Sequence, residues 1–258
     1  MMDRGATLAA MFGLDATTCY VIGVVLVATL VRSTVGFGEA LVGVPLLALR
    51  LPITVAAPIA VAASVIIAGL IVVQDWREIE RASATWMIVA SMLGIPLGLM
   101  LLTLGSDAVV RMILGLVIAG FSFYSLSSGS RRFVRSNDRR WLLCAGFCSG
   151  VLGGAYGMNG PPLAIYGTLR RWSPQQFRAT LQAYFLVASM AGLIGYVAVG
   201  LWSRELTRYL LLSLPAVCVG VVVGRMLNRR LRGERFFNVV YAALVAIGAV
   251  LVAQAVRG

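Results

Sequence analysis

Arg32 and Glu39 stand seven residues apart across the string Ser33-Thr-Val-Gly-Phe-Gly38, with an apolar run on either side. An arginine placed between apolar runs is costly and requires a partner or a ligand. Two readings are open for it. The two side chains can close on each other as a structural ion pair. Alternatively, the guanidinium can lend positive potential and a planar fork of donors to an oxyanion. Glu39 is the only acid inside an apolar run, which makes it the one candidate proton carrier within a span. A second string, Gly153-Gly-Ala-Tyr-Gly-Met-Asn-Gly160, runs into Pro161 and Pro162 and repeats the glycine-rich plan without the charges. Gly36, Gly38, Gly154, Gly157 and Gly160 let backbone approach a ligand closely, and proline suits the first turn of a helix that would start beside the second string. Unpaired N–H groups at such a start suit an anion. Asn159 offers an amide from the second string, and Ser33 and Thr34 offer hydroxyls from the first. Gln182 and Tyr184 lie near the expected start of the following span, and Gln74 closes the corresponding one. Any of these polar groups can instead bind helix to helix.

Other chemistries are poorly provided for. The chain has no His, so imidazole relays and most zinc sites are excluded. Cys19, Cys144, Cys148 and Cys218 all fall in apolar runs, where small packing residues are expected rather than a metal or redox centre. The glycine strings lack the preceding strand and the following Lys-Ser/Thr of a phosphate loop. With the general-base repertoire nearly absent, neither an enzyme nor a bound cofactor is expected.

The composition sets these residues in a bilayer. Of 258 residues, 60% are hydrophobic and 12% charged, against about 25% charged in soluble domains. The net charge is +12 and every basic residue is Arg. These arginines punctuate apolar runs instead of forming a basic domain, so they read as loop charges facing lipid headgroups and not as a nucleic-acid surface. Asp3 and Arg4 nearly cancel, and no cleavage pattern follows the weak apolar stretch from Leu8 to Leu14, so a cleaved signal peptide is not expected.

Six runs approach the 20 or so residues that cross a bilayer: 55–74, 83–104, 108–126, 180–201, 206–227 and 236–256. The stretches 19–49 and 141–169 are different. Each holds two arms of 10 to 13 residues around a glycine string, so each arm is expected to reach about half-way across. Gly36 matches Gly157 at an offset of 121, and Gly94 to Gly98 matches Gly220 to Gly224. The expected architecture is therefore all-α, with two pseudo-symmetric repeats, each a broken or re-entrant helix pair followed by three transmembrane helices. The repeats fall at 1–126 and 141–258, joined by an Arg-rich cytoplasmic linker at 127–140. Counted as ordinary spans, the broken elements give eight crossings and divide the loop arginines 11 to 9. Counted as hairpins, they divide them 15 to 5, which is the bias a membrane protein favours. Three crossings per half would invert the second half relative to the first.

Val35-Gly-Phe-Gly38 followed by Val44-Pro-Leu-Leu47, Gly150-Val-Leu-Gly-Gly-Ala-Tyr-Gly-Met-Asn-Gly-Pro-Pro162, and Phe177-Arg-Ala-Thr180 resemble the TauE/SafE family of permeases, the 4-toluene sulfonate uptake family. The resemblance implies a multi-pass inner-membrane transporter of small anions such as sulfite and sulfonates. Glu39 and Met158-Asn159 depart from the plain glycine runs of that family. The function expected is secondary transport by alternating access, one half rocking against the other. Substrate would lie between Arg32, Ser33, Thr34, Gly36, Gly38, Glu39, Gly154, Gly157, Asn159, Gly160 and Gln182. A proton or other ion gradient would drive it, and a homo-oligomer is compatible. An anion channel or a non-transporting scaffold is the alternative, although a channel requires a more continuous polar lining than this.

Overall fold

In a computed structural model, the described residues are 15–127, 139–170, 172–230, 245–246 and 248–256, and every regular element among them is helical. The helices are α1 (Ala16–Val35), α2 (Glu39–Ala48), α3 (Ile53–Asp75), α4 (Arg81–Leu104), α5 (Asp107–Ser127), α6 (Arg139–Tyr156), α7 (Gly160–Leu169), α8 (Pro174–Ala198) and α9 (Arg204–Arg230). Residues 248–256 are also helical. Six of the helices, α1, α3, α4, α5, α8 and α9, are long and apolar enough to cross a membrane. Leu93, Leu104, Phe123 and Val73 stand 69–78% exposed on the outside of the bundle. Such an apolar exterior suits lipid as the solvent. Trp76, Trp86 and Trp141 are exposed near helix ends, as an interfacial belt requires.

Local chemistry sets the boundaries. Asp15 caps α1 through Thr18 N at 3.0 Å, and Glu80 caps α4 through Ser83 N at 2.7 Å. Ser173 and Gln176 form a reciprocal capping box with Pro174 in the first turn of α8. That box starts α8 six residues before the expected 180, because it overrides the polar stretch that follows it. Gln182 and Tyr184 are therefore in the third turn, not at the helix start. The runs at 55–74, 83–104, 108–126 and 206–227 coincide with α3, α4, α5 and α9 to within a few residues. The run at 236–256 falls partly outside the described residues.

The half-way arms require correction. α1 has 20 residues and α6 has 18, or roughly 30 and 27 Å. Only α2 and α7, with 10 residues each, are half-length. In α1 the Asp15 cap adds residues before the apolar run, and Arg32, Ser33 and Thr34 stay helical despite their polarity. The cysteines also differ from expectation. All four are exposed on the outside of the bundle, not packed within it.

α2 doubles back along α1. Gly43 lies over Ala28, and the Tyr20 hydroxyl, near the start of α1, donates to the Leu46 carbonyl near the end of α2 at 2.5 Å. Two intimate pairs run parallel, α1 with α9 and α4 with α6. Gly98 of α4 meets Val151 of α6, while Gly224 of α9 meets Leu30 of α1. Val151 and Leu30 are separated by the same 121 residues that relate the two glycine strings, so the helix contacts are symmetric. Two further pairs run antiparallel: α3 with α8, through Ser64–Ser189 and Gly69–Leu186, and α5 with 248–256, through Gly115–Val252 and Ala119–Gly248.

Candidate functional site

Both glycine strings become turns between a long and a short helix. Gly36 ends α1 at φ 95°, Gly38 precedes α2 at φ 103°, and Gly157 turns the chain between α6 and α7 at φ 68°. These are left-handed values that residues bearing a Cβ resist. The two turns meet inside the bundle. Gly38, Glu39 and Ala40 face Gly157, Asn159 and Gly160 across one narrow cavity, with Phe185 of α8 at its edge. The cavity volume is about 10 Å³, close to the least that holds one water. The starts of α2 and α7 both border it, so the first-turn N–H ends of two helices converge there.

A polar network lies directly behind this cavity. Arg32 is fully buried. Its Nη1 donates to Glu39 Oε1 and, at 2.7 Å, to Ser64 Oγ, while its Nη2 donates to Gln182 Oε1. Gln182 in turn donates from Nε2 to the Gly36 carbonyl at 2.5 Å, bracing the first turn. From Ser64 the network continues through Ser189 Oγ at 3.3 Å to Asn159 Nδ2, 3.5 Å beyond. Phe185 stacks beneath the guanidinium, 5.2 Å from ring centroid to Cζ. Ser64 is the middle residue of α3, so the network sits near the centre of a spanning helix. Among the described residues, the Nε of Arg32 and the Oδ1 of Asn159 are buried without a hydrogen-bond partner. An orphaned donor on a buried guanidinium is costly, and a ligand oxygen or water would satisfy it.

Arg32, Gly36, Gly38, Glu39, Gly157, Asn159, Gly160 and Gln182 are thus brought together. Arg32 is paired with Glu39 and lies behind the cavity wall, while Glu39 forms part of the wall. Ser33, Thr34 and Gly154 are not at the cavity. Thr34 donates to the Leu30 carbonyl at 2.7 Å and approaches the Gly224 carbonyl of α9. Ser33 faces Gly224, and Gly154 presses on the Ile95 carbonyl of α4. Tyr184 packs in an apolar cluster beside Phe185, and the Gln74 side chain lies outside the described residues. Asn159 does not cap α7 through Oδ1. Its side chain rests on Gly153, where any Cβ would collide with it. Ser64, Ser189, Phe185 and Ser149, whose hydroxyl donates to the Asn159 carbonyl, are site residues that sequence reasoning missed. A serine within an apolar helix commonly bonds its own backbone, so spacing alone does not single these out.

The family model described as "Sulfite exporter TauE/SafE" matches residues 21–251 and so takes in both turns. The "Probable sulfite/organosulfonate exporter TauE" of Cupriavidus necator is 24% identical over 182 residues, covering 70% of either chain. No solved structure matches the chain significantly. With the family pattern spanning both hairpins and most of the helices between them, the chain belongs to the sulfite exporter TauE/SafE family and is a multi-pass membrane transporter of small anions, not an enzyme.

Proposed function

We propose that the chain is a secondary permease of the cell inner membrane, folded as two inverted halves, that carries sulfite, sulfonates or related organic anions by alternating access. The observation that carries this reading is the meeting of two helix starts, α2 and α7, at one cavity backed by the Arg32–Gln182–Ser64–Ser189–Asn159 network. Helix N-termini inside a membrane are suited to anionic groups. The unsatisfied Nε of Arg32 adds a donor of the right charge. Because the cavity holds about one water, an anion enters only as the turns separate, and a site that must open to load is what alternating access requires.

Purified protein in liposomes would be given sulfite, methanesulfonate, taurine and acetate in turn. Saturable uptake and counterflow of at least one anion are expected. Unsaturable conductance would make the protein a channel, and no flux from folded protein would make it a scaffold. Either outcome overturns the proposal.

Inversion is supported by direction. Helices matched by the repeat, α3 with α8 and α5 with 248–256, run antiparallel against each other. Matched helices would run parallel if both halves faced the same way. The return of α2 along α1 supports a re-entrant hairpin. On this reading Glu78 and Ser203, both exposed, lie on opposite sides of the membrane. Single cysteines placed there, in a background free of the four exposed native cysteines, should label from opposite faces. Labelling from one face would mean that each broken element crosses only once.

A further inference from the structure

We infer that Glu39 couples transport to protons: entry of a monovalent anion beside Arg32 releases the Glu39 carboxylate, which then takes up one proton. The inference rests on the proposed anion site and assigns its coupling ion. Glu39 is 7% exposed, forms part of the cavity wall, and is ion-paired to an Arg32 that has no solvent exposure. Its other flank meets a space lined by Ala28, Ala60, Ala63 and Ile67. The groups facing it from neighbouring elements are Arg32 of α1, Asn159 of the turn before α7 and Phe185 of α8, while Arg178 and Gln182 of α8 lie against Gly36 at the same turn. Arg32 is therefore the cation that balances Glu39.

An anion arriving between the helix starts meets a carboxylate already holding that cation. If Glu39 remained ionised, two negative charges would share one guanidinium in a nearly dry space. Such an arrangement drives a proton onto one of them, and a sulfonate does not accept it. The balance is simple. Empty, the site holds Arg32 positive and Glu39 negative. Loaded, it holds Arg32 positive, the anion negative and Glu39 as neutral acid. The proton comes from water on the side to which the site is open and leaves with the anion on the other side. Both states are neutral, so one monovalent anion moves with one proton and no net charge crosses. Position 160, which matches Glu39 at an offset of 121, is glycine, so the coupling group belongs to the first hairpin alone.

The test uses the full chain in liposomes with methanesulfonate, which stays ionised across the working pH range. With the membrane potential clamped at zero, a pH gradient of one unit, acid outside, should accumulate the anion about tenfold, and an imposed potential of either sign should leave that ratio unchanged. Glu39→Gln keeps an acceptor for Arg32 but carries no exchangeable acid proton. It should lose accumulation on the pH gradient, and Glu39→Asp, which restores the carboxyl, should recover part of it. As a second measurement that needs no variant, wild-type protein in weakly buffered detergent should take up about one proton per methanesulfonate bound. Downhill flux with no response to the pH gradient, or binding without proton uptake, would overturn the coupling and leave the anion site standing. Absence of any methanesulfonate binding or flux in folded wild-type protein would overturn the coupling, while flux of another anion would preserve the transport reading.

Discussion

Arg32→Ala and Glu39→Ala should each destabilise the protein in detergent by about 3–5 kcal/mol, the scale for stranding one member of a buried ion pair. Removing Arg32 leaves the Glu39 carboxylate and the Gln182 carbonyl without their donor and takes one of two donors from the Ser64 hydroxyl. Removing Glu39 leaves a guanidinium with no counter-ion and no solvent exposure. The double variant should cost much less than the two singles together, because neither charge is then stranded. Arg32→Lys should recover part of the loss, since one ammonium lacks the planar fork that reaches Glu39, Ser64 and Gln182 together. Thermal unfolding of the four variants would decide the matter. Singles as stable as the parent, or losses that simply add, would mean that the pair does not hold the hairpin to α3 and α8.

Gly98→Ala should be nearly as damaging, although it adds one methyl group. A Cβ there would strike the Val151 carbonyl oxygen and lie 2.7 Å from the Ala155 amide nitrogen. Both are backbone atoms of α6 that no rotamer change can move, so the helices must part. Overpacking of this kind costs about 1–3 kcal/mol, which outweighs the roughly 1 kcal/mol that alanine gains over glycine within a helix. Gly192→Ala is the control, with no atom of the described residues within 4 Å of its Cβ, and should be neutral or stabilising. Equal melting temperatures for the two variants would rule out so close a packing of α4 on α6.

Much of the positioning was legible because membrane helices declare themselves by length, and glycine strings by their departure from it. Arg32 and Glu39 stood out because charge is rare in apolar runs, and seven residues of separation across a turn made pairing one of two open readings. The partners of Arg32 were not legible. Ser64 and Gln182 reach it from helices 32 and 150 residues away, and only the packing of α3 on α8 brings them together. Ser33 and Thr34 misled for a related reason. Their neighbours in sequence border the cavity, but the helix extends through Val35 and turns both residues toward α9. Gly154 resembles a turn glycine in sequence and serves instead as a close-contact residue against α4. The length of α1 was hidden by the polarity of residues 32–34, which reads as a break where the fold uses it as one more helical turn.

The two parallel glycine seams constrain how the molecule can move. α6 leads into the second hairpin but is pressed, backbone to backbone, on α4 from the first half, and α1 leads into the first hairpin but is pressed on α9 from the second. Helices in such contact cannot slide or tilt independently without breaking the seam, so each hairpin travels with a helix borrowed from the opposite half. A rigid swing of α1–α5 against α6–α9 would therefore tear both seams at once. On the proposed transport reading, the mechanical units cut across the repeat, one built on α1, α2 and α9 and the other on α4, α6 and α7. The surface between them, where Glu39 faces Asn159, is the one left free to open.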